Sequence, residues 1–293
     1  MKSVTVFHNP KAGDQAHSKK ELVALIERHG YECRYYSTKK KGYKNFKKDT
    51  DLIVAAGGDG TVGKVLKRLK TRKLANKIPV VVFPLGTANN ISKSLDIKAE
   101  LPKQIEGWEA AEAKQFDLVR TSGDVSSVCF ESIGFGAFTE LIKRMKSSKK
   151  QLRPQDKLKF TLAQLGEVVA TYQAKEASII VDQKQYSGKF IWIEMMNICS
   201  IGPNIIFSPK ADASDGMLNV VLIQEDQRSE LLAAIERKIN GIEPDFAFKS
   251  LNAAKVDIHF EDTSLHVDDQ VIDMGKPIDL SVAVDAGVFT FLI

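Results

Sequence analysis

A continuous apolar run, Leu52-Ile53-Val54-Ala55-Ala56, leads straight into Gly57-Gly58-Asp59-Gly60-Thr61, and this junction constrains the fold more than any other stretch. An apolar run without polar alternation suits a strand covered on both faces, as in parallel sheets. Beyond the glycines, Val62, Val65, Leu66 and Leu69 recur at helical spacing. The segment therefore reads as strand, glycine turn and helix start. Glycines let the backbone approach a ligand with no Cβ in the way. The unpaired N–H groups of the following helix suit a phosphate. Asp59 is the odd member, because a carboxylate repels phosphate unless a cation lies between. It points to Mg²⁺-nucleotide chemistry. The plain alternative is a glycine turn with Asp59 as a helix N-cap.

The same grammar recurs on both sides of this junction. Val4 to Phe7 predicts a strand, followed by the turn His8-Asn9-Pro10-Lys11-Ala12-Gly13. Ser18 suits the cap of a helix facing inward through Leu22, Leu25 and Ile26 and closed by Gly30. Cys33 to Tyr36 and Pro79 to Phe83 predict further strands, the latter ending in Pro84-Leu85-Gly86-Thr87-Ala88-Asn89-Asn90. Alternating strands and helices imply a parallel sheet, and ligands bind at the carboxyl ends of its strands. The polar loops at Asn9, Asp59 and Thr87 all follow strands at that end, so they form one candidate site.

From Phe116 the pattern changes to short strand-like runs: 116–119, 125–132, 177–181, 189–195, 217–223 and 254–260. These predict an antiparallel sheet or sandwich. Helical patterns at about 156–172 and 229–239 interrupt it. The expected domains are 1–120 with 285–293, an α/β nucleotide-binding lobe, and 121–284, a mainly antiparallel β-sandwich lobe for the substrate.

With 293 residues and a formal charge of +5, the chain is long enough for two cores and not basic enough to indicate a nucleic-acid binder. Cys33, Cys129 and Cys199 are too scattered for a disulfide framework or zinc site, and suit a reducing cytoplasm. No apolar run reaches the roughly 18 residues that cross a bilayer. Two basic clusters stand out: Lys39, Lys40, Lys41, Lys44, Lys47 and Lys48, and Lys143, Arg144, Lys146, Lys149, Lys150 and Arg153. Each is either a solvated face or an electrostatic contact with anionic lipid.

Taken in order, Asn9-Pro10-Lys11-Ala12-Gly13, Gly57-Gly58-Asp59-Gly60-Thr61 and Pro84-Leu85-Gly86-Thr87-Ala88-Asn89 resemble the diacylglycerol kinase catalytic family, in its bacterial soluble form. Ile133-Gly134-Phe135-Gly136, the segment Pro209 to Asn219 and Val267-Asp268-Asp269-Gln270 are similar to its later motifs, so the resemblance spans essentially the whole chain. It implies ATP- and Mg²⁺-dependent phosphorylation of a lipid hydroxyl, with the site in a cleft between the lobes. It implies that Gly57, Gly58, Gly60 and Thr61 hold phosphates and that Asn9, Pro10, Gly86, Thr87 and Asn89 line the nucleotide site. Asp59 would serve Mg²⁺ and catalysis, Asp268 would be the general base, and Asp215 would belong to a structural Mg²⁺ site.

Diacylglycerol is the expected acceptor, with sphingoid bases, ceramide and isoprenoid alcohols left open. Phe135, Phe138, Leu141 and Ile142 are candidates for an acceptor pocket or for core. The expected partners are the lipid substrate and, transiently, an anionic membrane surface; monomer and homodimer both stay open. The expected location is cytoplasmic and peripheral at the membrane. The chain departs from the family at Asn90, where relatives often carry Asp, and at Asp269-Gln270, where they carry Gly-Glu. These departures motivate an alternative, a nucleotide- or lipid-binding member with weak or lost kinase activity. An NAD kinase shares the Gly-Gly-Asp-Gly-Thr turn, but Pro84 to Asn89 and Pro209-Lys210-Ala211 argue against it.

Overall fold

The computed structural model describes residues 2–13, 17–97, 100–148, 154–202, 204–242, 248 and 250–293. It divides into two compact units, Met1–Asp117 with Ala286–Ile293, and Leu118–Asp285.

The first unit runs β1 (Ser3–His8), α1 (Lys19–Arg28), β2 (Glu32–Ser37), β3 (Leu52–Gly57), α2 (Asp59–Thr71), β4 (Val80–Pro84), α3 (Asn90–Ser94) and α4 (Leu101–Gly107). β5 (Ala113–Gly123) leads out of it. Ser18 caps α1 with a full capping box to Glu21. β1 pairs in parallel with β2 on one side and β3 on the other, and β3 pairs in parallel with β4. At the chain's end, Phe291 adds a parallel strand beside Val80. The spatial order 2-1-3-4 reverses direction between β1 and β3. In open sheets of this kind the switch point, beyond the strands' carboxyl ends, is where ligands bind. Alternation decides the layers: Val4 and Val6 pack with Leu22, Ile26 and Ile105 on one face. Phe7, on the other, meets Phe46 at 5.0 Å, and Arg72 beyond the end of α2 lies over the Phe46 ring.

The second unit is built from β6 (Ser127–Cys129), β7 (Ser132–Gly136), α5 (Ala137–Ser147), α6 (Pro154–Thr171), β8 (Lys175–Val181) and β9 (Lys184–Met196). There follow β10 (Ser200–Ile201), β11 (Ile205–Ile206), β12 (Leu218–Gln224), α7 (Arg228–Ile239), β13 (Ser250–Ala253) and β14 (Lys255–Phe260). β15 (Ser264–Val267), β16 (Gln270–Asp273) and β17 (Ile278–Leu292) complete the chain, the last strand ending in the first unit. All pairings within this unit are antiparallel among the described residues. β9 is the hub: its first half pairs with β8, its second half with β7 on one edge and β12 on the other. Ile193 and Met195 enter an apolar core with Ile133, Phe135, Leu265 and Val267. Trp192 and Met196 point the opposite way, into a second core under α5, α6 and α7.

Two expectations change, and one open choice is decided. The run 125–132 is broken between β6 and β7, because Phe130 and Glu131 turn their N–H groups to a side chain instead of a strand. The helix α5, absent from the sequence reading as a full element, follows β7 directly. Phe135, Phe138 and Leu141 are core, not pocket lining.

Candidate functional site

The first centre is made where β1, β3 and β4 end. Three loops meet there through glycine backbones. A Cβ on Gly86 would stand 2.3 Å from Gly58 Cα, and one on Gly13 would stand 2.5 Å from the Leu85 carbonyl oxygen. A Cβ on Gly57 would lie 2.4 Å from Thr61 Oγ1, and Thr61 itself is buried. These glycines are required by loop packing. Gly60 differs, since a Cβ there would meet nothing within 4 Å. It sits in the first turn of α2, whose N-cap Gly58 offers no side-chain cap. Uncapped N–H groups beside open space, at a positive helix end, suit a phosphate.

Asp59 is not the cap of its own helix. Its Oδ1 accepts the Ile91 N–H at 2.9 Å, and the carboxylate also accepts the N–H of Asn90. It thus caps α3 from outside and ties the second loop to the third. Burial raises its pKa, against the pull of those backbone donors and of Lys93. A carboxylate has about four lone-pair sites, so beyond these two donors it keeps room for a cation.

Asn89 takes a left-handed backbone, φ +53°. Its Oδ1 accepts the Gly86 N–H at 2.9 Å, and its Nδ2 donates to the carbonyls of Pro84 and Gly86. The side chain is spent on shaping the loop, which leaves Thr87 exposed at its tip. Asn9 Oδ1 accepts the Lys11 N–H at 3.2 Å, while its backbone N–H donates to Ala56. The Asn9 Nδ2 has no partner among the described residues, and Pro10 beside it is exposed.

The second centre is the turn between β15 and β16. Asp268 has φ +50°, and its N–H donates to the Ser132 carbonyl at 2.8 Å. Its Oδ1 accepts three donors: Cys129 Sγ at 2.9 Å, Phe130 N–H at 3.0 Å and Glu131 N–H at 2.8 Å. Oδ2 has no partner among the described residues. Burial raises the pKa of Asp268, the three donors oppose the rise, and Asp269 adds to it. Asp269 and Gln270 are exposed. Burial and the Asp268 charge push the Cys129 thiol well above its ordinary range, so it acts as a donor and not a nucleophile.

Asp215 is not gathered with other ligands. It is exposed, its Oδ1 accepts the Met217 N–H at 2.8 Å, and no group of three His, Cys, Asp or Glu able to hold a metal occurs among the described residues.

The two basic clusters part company. Lys39, Lys40, Lys41, Lys44, Lys47 and Lys48 are all exposed, and none meets a carboxylate among the described residues. Their segment is nonetheless anchored: Phe46 is buried, and Arg68 and Arg72 donate to the carbonyls of Lys44 and Phe46. In the second cluster Lys143 donates to Ser264 and faces Glu140, and Arg144 pairs with Glu167 at 2.9 Å. Lys149, Lys150 and Arg153 lie outside the described residues.

Residues 3–121 match the diacylglycerol kinase catalytic domain, and residues 138–278 match a YegS C-terminal, NAD kinase beta-sandwich-like domain. The chain thus carries a diacylglycerol kinase catalytic domain followed by this sandwich-like domain. It is a lipid kinase. It is 26% identical over 257 residues to a protein named diacylglycerol kinase from Bacillus subtilis (strain 168), covering 82% of this chain and 80% of the relative. A crystal structure of a diacylglycerol kinase from Bacillus anthracis str. Sterne superposes with a TM-score of 0.73 at 18% identity, over 99% of this chain and 96% of the other. That likeness bears on the fold: an α/β lobe with parallel strands and a β-sandwich-like lobe.

One set of buried groups was missed at the sequence level. Glu194 and His266 are wholly buried and 3.0 Å apart, Oε1 to Nε2. The available signal was a carboxylate inside the apolar run Phe190 to Met196 and a histidine between Leu265 and Val267. Polar groups in such strands need partners, since leaving them unpaired is costly.

Proposed function

We propose that this lipid kinase takes ATP as phosphoryl donor with Mg²⁺, and diacylglycerol as acceptor. The observation that carries the reading is the open space at Gly60, on an uncapped helix N-terminus beside Asp59. The residues fit a Mg²⁺-nucleotide: one carboxylate with a lone pair to spare, phosphates and water are what this hard, octahedral ion prefers. When bound, Mg²⁺ supplies charge neutralisation on the phosphates. The first N–H groups of α2 orient the phosphates, and Asn9, whose Nδ2 has no partner among the described residues, lines the same loops. Asp59 is the proposed metal ligand and Asn89 the residue that shapes the third loop. The exposed Asp215 does not fit a metal centre on its own, and no step passes through it.

Asp268 is the proposed general base. A lipid hydroxyl loses its proton far above neutral pH, so attack gains from a carboxylate that takes the proton. Oδ1 is held by three donors, so Oδ2 is the atom that receives it. The raised pKa moves the base toward working pH. The missing carboxylates at positions 90 and 270 do not undo this arrangement. Asn90 holds Asp59 through its backbone N–H, which any residue but proline supplies, and Gln270 is exposed.

The chain has no helix, among the described residues, long and apolar enough to cross a membrane. We place it in the cytoplasm, reaching an anionic leaflet through Lys39 to Lys48. Labelled ATP offered with diacylglycerol, ceramide, a sphingoid base, an isoprenoid alcohol and NAD, with and without Mg²⁺, tests the reading. Mg²⁺-dependent labelling of diacylglycerol is the expected result. Labelling of another acceptor alone would reassign the substrate, and no labelling of any would leave a binding protein.

A further inference from the structure

Glu194, Gly134 and His266 occupy one cross-strand row. Gly134 on β7 stands opposite Glu194 on β9 and opposite His266 on β15. β9 and β15 are two strand spacings apart, about 10 Å. Their side chains meet over β7 only because the middle residue has none: a Cβ on Gly134 would lie 2.2 Å from Glu194 Oε2 and 2.5 Å from His266 Cε1. The row faces α5. Thr139 of α5 has its Oγ1 2.9 Å from His266 Nδ1, and Lys143 of α5 donates to Ser264, two residues earlier on β15. Trp192 Nε1 donates to Glu194 Oε2 at 2.8 Å.

The protons of this network can be assigned. Thr139 donates its single hydroxyl proton to the Gly134 carbonyl at 3.1 Å, which can only accept. His266 Nδ1 must therefore donate to Thr139. Trp192 supplies Oε2, and one proton lies between Nε2 and Oε1. Every polar atom is satisfied only in this register. A one-residue slip of β15 would turn His266 to the opposite, apolar face.

β15 ends in the Asp268 turn, and its ladder to β7 continues through Asp268 N–H and Ser132. We propose that Glu194 and His266 are positioning residues: they pin β15 onto β7 and so hold the Asp268 carboxylate against Cys129, Phe130 and Glu131, with Oδ2 aimed at the acceptor. This rests on the reading of Asp268 as base. The pair moves no proton during turnover.

Glu194→Gln separates positioning from proton relay. Its carbonyl can accept from Trp192 and its amide can donate to Nε2 of a neutral His266, so no bond is lost. Glu194→Ala removes both bonds. The measurements are kcat, its pH profile and nucleotide Kd, taken well below each variant's Tm, with Asp268→Asn as reference. Expected for Glu194→Ala is a kcat lower by about tenfold to a hundredfold, the cost of a small misplacement near the chemistry. Its acid limb should move, because Asp268 loses aligned donors, while nucleotide Kd stays the same. Glu194→Gln should stay within about threefold of wild type and keep its pH profile, as an isostere with all bonds made.

Equal loss in Glu194→Gln and Glu194→Ala would overturn positioning in favour of proton transfer. Unchanged kcat in Glu194→Ala, beside a large loss in Asp268→Asn, would overturn the inference alone. Unchanged kcat in Asp268→Asn would remove the base itself, and this inference with it. If Glu194→Ala does not fold, Thr139→Val, which removes the acceptor of Nδ1 together with the donor to the Gly134 carbonyl, must show the same split at smaller size, and its absence refutes the role.

Discussion

Replacing Asp268 by Asn should separate activity from stability, in opposite directions. Asn keeps a carbonyl oxygen where Oδ1 accepts Cys129, Phe130 and Glu131, so the three contacts survive. Each weakens from a bond to a charged acceptor to a neutral one, a loss of about 1 kcal/mol each. The opposing term is the burial of the charge. The folded pKa is raised, so burial, the largest cause, together with the Asp269 charge outweighs the donors. For such an acid, the favourable neutral form is fully present below the unfolded value of about 3.9 and is lost as pH rises through the folded value. At pH 7 the wild type carries this penalty and the Asn variant does not. Its Tm at pH 7 should equal or exceed that of wild type, and the difference should vanish in acid. Without a group to take the hydroxyl proton, kcat should fall by about 10² to 10⁴, or roughly 3–5 kcal/mol in barrier. Nucleotide Kd should hold, because the loops proposed to hold the phosphates belong to the other unit. Wild-type kcat should show an acid limb above the ordinary aspartate range, and the variant should lose it. Asp269→Asn, on an exposed residue, should keep kcat at pH 7 near wild type and move the acid limb toward the ordinary aspartate range, because the Asp269 charge adds to the rise. A fall in Tm at pH 7 with a matching fall in kcat would make the turn merely structural. An unchanged kcat would refute a base at Asp268.

Gly60→Ala should raise Tm slightly, by removing a helical glycine worth about 0.5–1 kcal/mol, yet weaken nucleotide binding by filling the open space, as read by calorimetry and scanning fluorimetry. Gly86→Ala should instead cost stability, on the order of 1–3 kcal/mol, since its Cβ would strike Gly58; equal behaviour of the two variants would refute the division of glycine roles. Asp59→Asn should abolish turnover and also cost about 1–2 kcal/mol, because the bonds from Asn90 and Ile91 weaken from a charged acceptor to a neutral one; a folded variant of full stability and full activity would remove both roles. Sedimentation with anionic vesicles should weaken with salt and with the combined change of Lys39, Lys40, Lys41 and Lys44 to Ala, each Lys counting for about 1 kcal/mol. Lys143→Ala should change it little, since that charge is already engaged, and equal binding to neutral vesicles would make the patch an ordinary wet surface.

The α/β lobe was legible in the sequence because its requirements are local. Apolar runs, helical spacing and glycines at strand ends report backbone demands of a few neighbouring residues, and β1, α1, β2, β3, α2 and β4 follow them. The resemblance added the order of the loops, and with it the family. What each loop residue does was decided by tertiary structure. Asp59 looks like a local cap and is instead the cap of α3, 32 residues on. Asp268 looks like a turn residue, and its meaning comes from Cys129, 139 residues away. Gly134 reads as one glycine in a motif until β9 and β15 set Glu194 and His266 on either side of it. Of two similar basic clusters, α5 and α6 neutralise the described arginine of one, while α2 holds the other open to solvent. Local chemistry sets which conformations a segment can take. Register and packing, which join segments far apart in the chain, set which atoms are already satisfied and which remain free to act.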